Sequence, residues 1–104
     1  MTKVVFYEQD EKLRGFLIKE HSGYDEEGYD IVCASISSAA YLTANTLTEI
    51  VGAKADIELR EAYFRFILKD KFAEAENHLK GLKLHLESLA EDYSDYISCK
   101  TETV

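Results

Sequence analysis

The chain has 104 residues and a mass of 11.9 kDa, enough for one domain spanning residues 1–104 and too little for a second. Twenty acidic residues against 12 basic ones give a formal net charge of -8, so phosphate-rich partners are repelled; nucleic acid is not an expected ligand, and a basic partner is. Two cysteines make no disulfide framework, no run approaches the roughly 18 apolar residues of a membrane span, and the opening MTKVVFYEQDEK turns acidic before a signal-peptide core develops, which points to a reducing cytoplasm.

Residues 3–8 (KVVFYE) and 13–19 (LRGFLIK) are rich in β-branched and aromatic side chains, and the four polar residues between them predict an antiparallel hairpin. Residues 20–30 (EHSGYDEEGYD) have no apolar period. They hold five acids, no lysine or arginine, and the two glycines Gly23 and Gly28, and read as a mobile functional loop. From residue 31 to 51 the period becomes helical. Val32, Ile36, Ala40, Thr43, Leu47 and Ile50 form one stripe, Asp30 is placed as N-cap, and Gly52 stands where a left-handed C-terminal position is wanted. Residues 55–59 and 63–68 predict a second hairpin joined through Arg60, Glu61 and Ala62. A second helix follows from about Phe72 to about Tyr93, with apolar residues at heptad spacing. That spacing suits an amphipathic helix lying on a sheet or a coiled-coil partner helix. Residues 96–100 predict a short final strand, with the last four residues frayed. The order β-β-α-β-β-α, with a possible last β, implies an α+β fold with a mainly antiparallel sheet.

The chemistry concentrates in residues 21–37, HSGYDEEGYDIVCASIS. Cys33 falls in the first turn of the predicted helix, where unpaired N–H groups and the helix dipole favour negative charge. A helix start and a nearby imidazolium lower a thiol pKa from about 8.5 to between about 3.5 and 7.5, which turns an inert thiol into a nucleophile. His21 lies twelve positions earlier, and a loop with two glycines can bring it back to the sulfur. A cysteine with a base in reach is the arrangement covalent acyl transfer needs, and N–H groups at the helix start offer an oxyanion site. Each residue also has a plainer role: Cys33 as a small core residue, His21 as a polar loop residue, and Asp30 as a cap rather than an orienter of His21. Ser37, one turn after Cys33, can bond the sulfur, the substrate or its own helix. No ligand spacing supports a metal, and His78 and His85 lie about 10.5 Å apart along their helix. For Cys99 the sequence offers no role beyond packing.

The histidine after the second strand, the glycine-containing loop, the run Asp30-Ile31-Val32-Cys33-Ala34 and Ser37 together resemble the ribosomal-processing cysteine protease (Prp) family of bacteria. The likeness extends to element order over nearly the whole chain. It implies a cysteine endopeptidase that removes a short N-terminal extension from a large-subunit ribosomal protein during ribosome maturation. In that reading Cys33 is the nucleophile, His21 the catalytic histidine, and Asp30 and Ser37 are supporting residues. It also implies a homodimer and no cofactor. One departure is Glu20, where the family usually places glycine before its histidine; the extra carboxylate either acts on the imidazole or points to solvent. The alternative function is a non-catalytic ribosome-assembly or interaction protein that binds a basic partner through its acidic loop and heptad helix.

Overall fold

The computed structural model describes residues 1–26 and 29–104. The first two strands, β1 (Thr2–Gln9) and β2 (Lys12–Lys19), form the predicted hairpin, but its turn is only two residues long. Asp10 and Glu11 both take positive φ, 55° and 64°, the geometry of a type I′ turn that matches the right-handed twist of paired strands. Near the turn Tyr7 faces Gly15 while Glu8 faces Leu13, so Arg14 is the extra residue of a β-bulge. The bulge sends Leu13 into the core and lays the Arg14 guanidinium over Phe72, 4.0 Å from the ring centre. Gly15 is required there, since a Cβ would lie 2.0 Å from the Phe66 carbonyl oxygen.

The first helix, α1 (Ile31–Asn45), runs on into a π-helical turn over Thr46–Ile50, where the Val51 N–H donates to the Thr46 carbonyl. The wider turn changes the phase of the stripe, because each residue advances a regular helix by about 100°. Leu47 is buried as the stripe requires, whereas Ile50 beyond it is exposed, contrary to the predicted stripe; upstream of the turn, Ala44 rather than Thr43 enters the core. Gly52 then takes φ 80°, as a left-handed stop requires.

The second hairpin is β3 (Ala55–Arg60) and β4 (Tyr63–Leu68). Arg60 belongs to the strand and pairs with Tyr63, so the connection is Glu61-Ala62 rather than the three residues expected. In α2 (Phe72–Asp92), Ala75, Leu79, Leu82 and Leu86 are buried against the sheet and α1. The heptad stripe is consumed by the core of its own chain, which corrects the coiled-coil reading.

The sheet order is β3-β4-β2-β1-β5. The last strand, β5 (Ile97–Thr103), pairs in parallel with β1. Residues 101–103 are therefore strand and not frayed, because the open edge of β1 takes up their backbone groups. Pairing register aligns Val4, Ile18 and Phe64 in one row and Phe6, Phe16 and Phe66 in the next. These rows meet the two helices in one core, with Phe16 and Phe66 stacked at 5.4 Å. The fold is α+β, as expected, with one parallel pairing in an otherwise antiparallel sheet.

Candidate active site

The site forms where β2 leaves the sheet and α1 begins. Immediately after β2, Glu20 takes φ 70°, a left-handed conformation that costs a residue with a side chain about 1–2 kcal/mol and glycine almost nothing. This explains why glycine suits that position. Two hydrogen bonds hold the strained residue: its N–H donates to the Ala62 carbonyl and the Thr2 hydroxyl donates to its own carbonyl, each at 2.9 Å. Its carboxylate turns to Lys3 Nζ at 3.3 Å. The bend delivers His21 to the start of α1, where its Nδ1 stands 3.8 Å from Cys33 Sγ. The two residues brought together from sequence reasoning therefore meet.

Asp30 is the cap of α1. Its Oδ1 accepts from the Cys33 N–H at 2.9 Å and its Oδ2 from the Ser22 hydroxyl. Burial alone would push its carboxyl up. The N–H groups of Cys33, Val32 and Tyr24 and the Ser22 hydroxyl outweigh that and hold it below the usual aspartate value. Both oxygens are engaged away from His21, so Asp30 caps the helix rather than orienting the imidazole. The Ala34 N–H donates to the Asp30 carbonyl at 3.0 Å. The Cys33 and Ala34 N–H groups are both committed to Asp30, so neither of these two is open in this conformation as a helix-start oxyanion donor.

Cys33, His21 and Ser37 line one cavity of about 240 Å³, whose other walls include Tyr41, Glu61 and Phe64. On the far side of the imidazole, Nε2 lies 3.3 Å from Glu61 Oε1 in the β3–β4 turn. Ser22 and Glu61 were not legible in the sequence. Ser22 carries no motif of its own, and Glu61 reaches His21 across 40 positions only through strand pairing.

Gly23 takes φ 79° with open space around it, and Gly28 lies outside the described residues. Tyr24 sets its ring edge-on against Tyr93 and Tyr96, at 5.8 and 5.2 Å, which pins the start of the loop to the end of α2 and the start of β5. The acidic segment is less uniform than its composition suggests. Asp30 is buried, Glu20 is bridged to Lys3, and Asp25 and Glu26 are exposed. Cys99 is remote from the site, its Sγ 3.7 Å from the Leu86 carbonyl, and burial with the nearby Glu87 charge pushes its thiol up to about 11. Among the described residues there is no group of three or more His, Cys, Asp and Glu side chains that could hold a metal, and no helix long and apolar enough to cross a membrane.

The model of the cysteine protease Prp family matches residues 1–98. The chain belongs to this family. A Prp relative, the ribosomal processing cysteine protease Prp of Bacillus subtilis, is 22% identical over 102 residues, covering 91% of both chains. The crystal structure of the S. aureus ribosomal processing protease Prp with a covalently linked product peptide superposes with a TM-score of 0.91 at 24% identity, over 98% of this chain and all of that one. SMU.848 from Streptococcus mutans has the same fold, with a TM-score of 0.85 at 20% identity over 100% of this chain and 96% of its own. The chain is thus a Prp-type cysteine protease with the Prp fold.

Proposed function

We propose that this protease is a ribosomal-processing endopeptidase, removing a short N-terminal extension from a basic large-subunit ribosomal protein, with Cys33 as nucleophile and His21 as general base and acid. The observation that carries the assignment of residues is the 3.8 Å approach of His21 Nδ1 to Cys33 Sγ inside a cavity. The name of the Bacillus subtilis relative supports the substrate class.

In the first half-reaction the Cys33 thiol gives its proton to His21 Nδ1, and the sulfur attacks the scissile carbonyl carbon. As the C–N bond breaks, the imidazolium returns that proton to the departing amine, leaving a thioester. In the second half, water gives a proton to His21 Nδ1 as its oxygen attacks the thioester. The sulfur then leaves and takes the proton back. The Asp30 carboxylate sits at the end of the helix dipole that would otherwise favour a thiolate, so the imidazolium supplies the activation. Ser37, one turn beyond Cys33 on the cavity wall, gives the substrate a hydrogen-bond partner. The segment that begins at Gly23 borders the path of an extended peptide, and Asp25 and Glu26 draw a basic one toward it. Action in the cytoplasm as a homodimer, without a cofactor, completes this reading.

The test is to incubate the purified protein with a peptide spanning the ribosomal protein's extension and follow cleavage by mass spectrometry. Cleavage is expected for the wild type and lost in Cys33→Ala and His21→Ala. Cleavage that persists in Cys33→Ala overturns the assignment.

A further inference from the structure

The geometry points to Glu61 as the positioning residue that fixes the ring of His21, an inference that rests on the assignment of His21 and Cys33 above. A carboxylate that is ionised can only accept hydrogen bonds. The 3.3 Å contact between His21 Nε2 and Glu61 Oε1 therefore requires the proton on Nε2. In the neutral ring this leaves the lone pair on Nδ1, the nitrogen that faces Cys33 Sγ at 3.8 Å. Glu61 thus selects the tautomer that can take a proton from sulfur, and it limits rotation of the ring out of line. When the ring becomes an imidazolium, the same carboxylate faces its new positive charge.

Glu61 is exposed, and an exposed side chain on a free turn would be a weak guide. This turn is not free. It is a two-residue connection in which Ala62 takes φ 52°, and the Ala62 carbonyl accepts the N–H of Glu20 at 2.9 Å. The residue after Glu61 is therefore bonded to the residue before His21. The two backbones are fixed to each other beside the side-chain contact, and a carboxylate on that turn is held within reach of Nε2.

The experiment compares Glu61→Ala and Glu61→Gln with the wild type by steady-state cleavage of the extension peptide and by nitrogen NMR of the His21 ring. Glu61→Ala is expected to lower kcat about five- to tenfold, with KM changed less than about twofold, the size of one lost charged hydrogen bond at an exposed site. Glu61→Gln keeps an acceptor oxygen and is expected to recover most of kcat. In the wild type the neutral ring is expected to carry its proton on Nε2, and in Glu61→Ala to populate both tautomers. Wild-type kcat and an unchanged tautomer in Glu61→Ala overturn the inference, as does equal impairment of the Ala and Gln variants. Because the NMR signal needs no turnover, failure of the protease assignment, seen as cleavage by Cys33→Ala, is told apart from failure of the Glu61 role.

Discussion

Ser22 Oγ donates a hydrogen bond to Asp30 Oδ2, and the other oxygen of the same carboxylate receives the N–H of Cys33. One buried carboxylate thus joins the neighbour of His21 to the backbone of Cys33. The separation of the two side chains is set through it, although neither side chain touches it. Ser22→Ala is expected to destabilise the fold by about 1.5–3 kcal/mol, the worth of a hydrogen bond to a charged group, and to lower kcat by loosening that separation. Urea unfolding and peptide cleavage measure the two effects; unchanged stability would show that the Ser22 bond contributes nothing.

The lowered pKa of Asp30 makes an acid-side prediction. Its stabilising contribution is fully present above the unfolded value, about 3.9, and is lost as pH falls through the lower folded value. Asp30→Asn keeps a capping side chain but removes this titration. Its unfolding free energy should therefore depend less steeply on pH below about 4 than that of the wild type, as read by urea midpoints across that range.

The two cysteines should separate cleanly on alkylation. With its thiol pushed up to about 11, Cys99 stays protonated at pH 8 and unreactive in the folded protein. Iodoacetamide at that pH is expected to label Cys33 alone, and in urea both residues, by peptide mass spectrometry. Labelling of Cys99 at a rate matching that of Cys33 in the native protein would contradict the burial argument.

The turn between β1 and β2 carries a removable strain. Glu11 takes φ 64° in an exposed type I′ turn, far from the site. Glu11→Gly relieves about 1–2 kcal/mol of left-handed strain and costs about 0.5–1 kcal/mol of chain entropy. A net gain of about 0.5–1 kcal/mol is expected from thermal or urea unfolding, with cleavage unchanged.

Most elements of the fold were legible because their apolar residues follow the period of the element that buries them, as Phe64, Phe66 and Leu68 do in β4 and Ala75, Leu79, Leu82 and Leu86 do in α2. The end of β5 was not, since its outer residues Lys100 to Thr103 are exposed and polar and are ordered by backbone pairing to β1. The π-helical turn was missed because periodicity assumes a constant pitch. Within the site, Cys33 and His21 announced themselves through a helix start and a loop. Ser22 and Glu61 depend on tertiary contacts that no local spacing encodes, and the commitment of the Cys33 N–H to the Asp30 carboxylate follows from the cap that the sequence itself supplies.

The packing of Tyr24 against Tyr93 and Tyr96 has a spectroscopic consequence. The chain contains seven tyrosines and no tryptophan, so phenol rings dominate its near-ultraviolet circular dichroism, a signal that depends on fixed packing. Movement of the segment beside the site separates one ring from two others. The molecule therefore carries its own label-free optical reporter of that separation, which Tyr24→Leu should silence while leaving the far-ultraviolet spectrum intact.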